Sequence, residues 1–228
     1  MENNVEFQWP PLESDPEIFN SYFHNIGLPL DINFGELYSL DYKEIQPIEE
    51  PVIGVVANIQ RTNGKCYEES KLDSYSSIPF YMKQQGSLDN ACGLVAALHV
   101  FGNSTNEINL ESNSILLNYF TEASNKSPEE RCKLLEQNND FKEAHKSSAN
   151  EGQSEIPTIQ DNVSYHYIAY VFINGRVYEL DGTIPGPIVV KENTVRENLL
   201  DTAIEEIKRK IELGTISETL SILYASKS

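Results

Sequence analysis

The stretch YHYIAYVFINGRVYELDG, residues 165–182, decides the fold. Tyr165 to Ile173 and Arg176 to Leu180 alternate as strands do, and Asn174-Gly175 stands between them. Asn-Gly between two alternating runs predicts a hairpin, because both central positions of its tight turn need a positive φ. Pairing across that turn sets the start of one strand beside the end of the other. His166 and Asp181 then share one end of the hairpin, close enough to hydrogen-bond.

Outward from the hairpin, Val52 to Ile59 reads as a buried strand bounded by Pro51, Ile78 to Met82 as a second strand and Leu220 to Ala225 as a last one. Residues 1–14 are extended, since Pro10-Pro11 forbids helix. Asp15-Pro16-Glu17 opens a helix with Asp15 as its cap, an apolar face of Ile18, Phe19, Tyr22, Phe23 and Ile26, and Gly27 as its stop. Phe34 to Leu40 reads as a short helix or turn. Ala91 to Phe101 is a helix apolar nearly all round, which places it in the core. Leu110 to Ala123, Pro128 to Asn138 and Thr194 to Glu212 are further helices, the second started by Ser127-Pro128-Glu129-Glu130. Residues 60–78 form a surface loop, and residues 146–164 are polar and weakly periodic. These elements predict an α+β fold, an antiparallel sheet surrounded by helices, in a single domain over residues 1–228.

With 39% hydrophobic and 10% aromatic residues, the chain can build a core. No apolar run approaches the ~20 residues of a membrane span, and the acidic N-terminus has no signal-peptide core. Cys66, Cys92 and Cys132 are odd in number and widely spaced, which argues against a disulfide framework or a zinc site and for a reducing compartment. Cytoplasm with nuclear access is the expected location. A net charge of -18 repels nucleic acid and anionic lipid and attracts a basic partner.

Cys92 stands in Asn90-Ala91-Cys92-Gly93-Leu94, where a polar loop turns into the apolar helix. The run alone fits a small core residue as well as a nucleophile. The first helical turn favours a thiolate, His166 could serve as base, and Asp181 could orient the base and stabilise its cation. Gln84 or Gln85, in the loop before Cys92, could offer an amide to a developing oxyanion beside the Cys92 N–H. His24, His99 and His145 have no such partner in sequence and read as packing or surface residues. Cys132 lies on a surface-type helix.

With these residues placed, the chain resembles the ubiquitin C-terminal hydrolase family of cysteine proteases, especially its small single-domain members. The resemblance rests on Trp9-Pro10-Pro11-Leu12-Glu13 with Asp15-Pro16-Glu17, on Met82-Lys83-Gln84 with Asn90-Ala91-Cys92-Gly93, on Ser127 to Arg131 with Glu151-Gly152-Gln153, and on His166 to Gly182. It implies a papain-like core, a triad of Cys92, His166 and Asp181, and an oxyanion glutamine, with Gln84 preferred over Gln85. It also implies a crossover loop over the active site at about residues 147–164, limiting substrates to small or unfolded leaving groups on the C-terminal glycine of ubiquitin. Leu12 would be an apolar contact for ubiquitin, and Glu13, Glu17 and Glu36 anionic ones. No cofactor or metal is implied, and the chain is expected to be a monomer without nucleic-acid or membrane partners. Two departures stand out. The loop between Lys83-Gln84 and Asn90 is longer than the family pattern, and the last strand lacks the family's Arg-Phe. With no extension seen after Ser228, the long members of the family are expected to be poor guides. The alternatives are a protein that binds and stabilises monoubiquitin and a hydrolase of a ubiquitin-like modifier.

Overall fold

The computed structural model describes residues 7–48, 51–62, 67–149 and 165–228. Its helices are α1 Pro16–Asn25, α2 Cys92–Gly102, α3 Ile115–Ala123, α4 Pro128–Gln137, α5 Asn139–Ala149 and α6 Leu199–Glu212. Its strands are β1 Ile32–Glu36, β2 Val52–Arg61, β3 Tyr165–Ile173, β4 Arg176–Leu180, β5 Ile188–Lys191 and β6 Ile216–Lys227. The strands form one sheet in the order β1-β6-β2-β3-β4-β5, and every pair is antiparallel.

Side chains of the central strands alternate between two cores. Val56, Ala169 and Leu223 face the first, built with α1 to α5. Val55, Ala57, Ile168, Tyr170, Ile222 and Tyr224 face the second, closed by α6. Strands buried on both faces read as continuous apolar runs, as VIGVVANI does. All residues of α2 are buried, and Gly54 lets it lie directly on β2, since a Cβ there would stand 2.4 Å from Val100 Cγ1. The β3–β4 turn is the expected one, with Asn174 at φ 49° and Gly175 at φ 80°.

The sequence reading is corrected in several places. Phe34 to Leu40 is neither helix nor turn at its start: residues 32–36 form β1, paired with β6, with Ile32 and Phe34 buried. Ile78, Phe80, Tyr81 and Met82 are buried, but Ile78 to Met82 is not a strand. Its backbone groups are satisfied by side chains instead: Asn103 bonds Phe80 N and O at 2.9 and 2.7 Å, His99 Nε2 accepts from Met82 N at 3.1 Å, and Arg131 donates to Tyr81 O at 3.0 Å. The third helix begins at Ile115, capped by Ser114, rather than at Leu110. The last one begins at Leu199 after a 3-10 turn over Arg196–Asn198, rather than at Thr194. Strand β5, helix α5 and the full length of β6 were not anticipated. Cys132 is fully buried, not on a surface face. Residues 150–164, most of the expected crossover loop, lie outside the described residues, as does Cys66.

Candidate active site

Three elements converge at one end of the sheet. Cys92 opens α2 and is 9% exposed. It stands where the free N–H groups of a helix start favour negative charge. His166 lies near the start of β3. In the hairpin, Ala169 pairs with Leu180, so His166 and Asp181 fall just beyond the paired region. There His166 Nε2 stands 2.8 Å from Asp181 Oδ1. Burial pulls the His166 pKa down, but hydrogen bonds to Asp181 and to the Cys92 thiol outweigh it and leave the imidazole more basic than usual. Burial would raise the Asp181 carboxyl. The hydrogen bond to His166 and the charges of His166 and Arg61 instead hold it well below the usual carboxylate range. The site thus stabilises an imidazolium–carboxylate pair beside a thiol.

The turn that carries Asp181 is fastened from several sides. Asp181 Oδ1 also accepts from Thr183 N at 2.9 Å and Thr183 Oγ1 at 2.7 Å. Tyr81 Oη lies 2.7 Å from both Asp181 O and Ile184 O, and Lys83 Nζ donates to Ile184 O at 2.5 Å. Arg61, at the end of β2, pairs with Asp181 Oδ2. Sequence reading missed Arg61, Thr183 and Tyr81. Thr183, two residues after Asp181, fits a local side-chain turn and was legible in principle. Arg61 and Tyr81 are far from Asp181 in sequence and gave no local signal.

The two glutamines separate. Gln84 is buried; its N donates to Gly182 O at 2.9 Å and its Nε2 to Asp89 O at 3.0 Å. Gln85 is exposed and precedes a 3-10 turn over Gly86–Asn90. Glu136 of α4 tethers that turn through Ser87 N and Oγ at 3.1 and 2.9 Å. The remaining histidines are structural. His99 Nε2 meets Met82, His145 Nε2 lies 2.7 Å from Pro10 O, and His24 Nε2 lies 2.8 Å from Ile32 O.

Of the expected partner contacts, Leu12 is 4% exposed in the first core and near Gly93, so it has little surface to offer. Glu17 is exposed on α1, while Glu13 and Glu36 are half-buried. Asn20 of α1 bonds Phe34 N and O at 2.6 and 3.0 Å, which sets α1 against β1 and brings the elements of Glu17 and Glu36 together. Among the described residues there is no group of three or more His, Cys, Asp or Glu suited to a metal, and no helix long and apolar enough to cross a membrane.

A buried Cys-His-Asp constellation at a helix start and a sheet end defines a site for thiol hydrolysis. Comparison with known proteins agrees. The family described as ubiquitin carboxyl-terminal hydrolase, family 1, matches residues 9–212. A ubiquitin carboxyl-terminal hydrolase of Aplysia californica is 33% identical over 207 residues, 90% of this chain and 95% of the relative. Ubiquitin carboxyl-terminal hydrolase 3 of Arabidopsis thaliana is 32% identical over 99% of this chain and 97% of its own length. Among solved structures, the catalytic domain of Trichinella spiralis UCH37, bound to ubiquitin vinyl methyl ester, superimposes with a TM-score of 0.76 at 20% identity, covering 100% of this chain and 99% of that one. The chain belongs to the ubiquitin carboxyl-terminal hydrolase family, family 1.

Proposed function

We propose that this chain is a deubiquitinating thiol hydrolase that cleaves small or unfolded leaving groups from the C-terminal glycine of ubiquitin. The observation that carries the reading is the convergence of Cys92, His166 and Asp181 at one end of the sheet. In the proposed reaction His166 takes the Cys92 thiol proton as the sulfur bonds to the glycine carbonyl carbon, and the oxyanion is held by the Gln84 amide and the Cys92 N–H. The bond to the leaving group breaks as His166 gives that group its proton. His166 then takes a proton from water, whose oxygen attacks the thioester carbon; the C–S bond breaks, the glycine leaves as its carboxylic acid, and His166 returns the proton to the Cys92 sulfur. Asp181 keeps His166 in the tautomer that permits both transfers.

The net charge of -18 suits a basic partner such as the ubiquitin tail, with Glu13, Glu17 and Glu36 as contacts. A monomer in the cytoplasm with access to the nucleus, without nucleic-acid or membrane partners, fits this reading. The test is hydrolysis of ubiquitin carrying a fluorogenic C-terminal amide by the wild type and by Cys92→Ala. Turnover that vanishes in the variant while ubiquitin still binds is expected. An inactive wild type that binds ubiquitin would overturn the reading in favour of a binding protein. One that neither cleaves nor binds it would point to a different modifier.

A further inference from the structure

Arg61 was not anticipated at the site, yet it is the one side chain that touches the outer oxygen of Asp181 among the described residues. Its position follows from strand geometry. Ile59 lies directly opposite His166 in the β2–β3 ladder, and Arg61, two residues on, projects from the same face. The β2–β6 ladder also shifts register between Ile59 and Arg61. One guanidinium nitrogen reaches Asp181 Oδ2, and both terminal nitrogens lie 3.3 Å from Thr183 Oγ1. The Nε is buried with no partner among the described residues, so the guanidinium is held by its Asp181–Thr183 end.

We propose that Arg61 is a positioning residue for Asp181, fixing the plane of the carboxylate so that Oδ1 stays aimed at His166. This rests on the hydrolase reading above. Oδ1 is shared by His166, Thr183 N and Thr183 Oγ1. Those contacts pin one oxygen and leave the carboxylate free to swing about it. Arg61 supplies the second fixed point, and a guanidinium fork does so with better-defined geometry than a point charge. Asp181 is 2% exposed, so without Arg61 its outer oxygen would be buried and unpaired, and turning toward water would relieve that.

Arg61 also has an electrostatic effect of definite sign. The groups facing His166 are Cys92 and, deeper in α2, His99, together with Asp181 after β4 and Arg61 from β2. Asp181 and Cys92 favour the imidazolium and Arg61 opposes it. Loss of the Arg61 charge therefore makes His166 more basic.

The experiment measures kcat and KM for the ubiquitin amide across pH in wild type, Arg61→Gln and Arg61→Lys. The His166 titration is followed by NMR in the same proteins without substrate, and thermal melts establish folding. Arg61→Gln is expected to lose about 10-fold or more in kcat through misplacement of the base, with little change in KM and with an upward shift of the His166 titration. Arg61→Lys is expected to restore the titration, because the charge remains, and only part of kcat, because the fork is lost. Wild-type kcat with an unmoved titration in Arg61→Gln would overturn the proposal, as would an effect confined to KM. If Arg61→Gln does not fold, wild-type kcat in Arg61→Lys overturns it and a reduced kcat with a normal titration supports it. A wild type inactive on ubiquitin overturns the hydrolase reading instead, and the NMR titrations still decide what Arg61 does to His166.

Discussion

Gly182 and Gln84 lie against each other: Gln84 N donates to Gly182 O at 2.9 Å, and a Cβ on Gly182 would stand 2.8 Å from both Gln84 Cβ and Gln84 N. The contact joins the turn after Asp181 to the loop before Cys92. Gly182→Ala must push the two apart, and Met82 O, 3.1 Å from the added Cβ, crowds it further. Overpacking of this kind is expected to cost about 1–3 kcal/mol in urea unfolding. Since it displaces Asp181 and Gln84 together, kcat is expected to fall by about 10- to 100-fold. Full kcat in the variant would show that this contact does not set the site geometry.

The two glutamines are expected to respond differently. Gln84 is buried and fastened at both backbone and side chain, whereas Gln85 is exposed. Gln84→Ala is expected to lower kcat by about 10²- to 10³-fold, as loss of one oxyanion donor does. Gln85→Ala removes a solvent-facing amide and is expected to leave both stability and kcat close to wild type, within about 0.5 kcal/mol. The reverse pattern in steady-state kinetics would assign the donor to Gln85.

Arg131 substitutes for a strand partner along residues 78–82. It is buried and donates to Tyr81 O at 3.0 Å, Ala123 O at 3.0 Å and Ser124 O at 3.2 Å, with its guanidinium 4.7 Å from the centre of the Phe80 ring. Arg131→Ala leaves buried carbonyls unpaired, at roughly 1–3 kcal/mol each. We expect a loss of about 3–5 kcal/mol in denaturant unfolding, because several buried carbonyls lose their donor at once. Tyr81, which fastens the turn carrying Asp181, would lose its support, so kcat is expected to fall even in the folded fraction. A variant as stable as wild type would refute this account of the segment.

Acid is expected to weaken the fold through His99 and His145. Burial pushes each imidazole down to about 4 from an ordinary 6.5. Between those values the unfolded chain binds more protons than the folded one. Stability therefore falls as pH drops through that window, by up to about 1.4 kcal/mol per pH unit for each group. His166 acts in the opposite sense and at higher pH: its folded pKa is raised, so its contribution is present below the ordinary value and lost as pH rises through the folded one. Urea titrations from neutral pH down to about pH 4 should give a shallower pH slope for His145→Gln than for wild type, whatever its stability at neutral pH. Equal slopes would remove His145 from the explanation.

What was legible in the sequence was local and periodic. The β3–β4 hairpin matched residue for residue, because Asn174-Gly175 supplies the two positive φ values its turn requires. The caps of α1 and α4 were read from Asp15-Pro16 and Ser127-Pro128, where side chain and backbone signal together. The segments that went wrong take their backbone hydrogen bonds from distant partners. Strand β1 exists because β6 lies beside it, and Ile78 to Met82 is not a strand because Asn103, His99 and Arg131 satisfy its polar groups first. Neither partner can be seen within a short window.

The sequence by itself determined the hairpin, an apolar helix read over Ala91 to Phe101, and the shared strand end of His166 and Asp181, because turn chemistry and periodicity act over neighbouring residues. Only the tertiary structure decided that Gln84 is inside and Gln85 outside, that Leu12 belongs to the core, and that Arg61 closes on Asp181. Each of these depends on which surfaces meet once the sheet is packed between its two cores. Burial and long-range pairing are properties of the assembled fold, and no local pattern carries them.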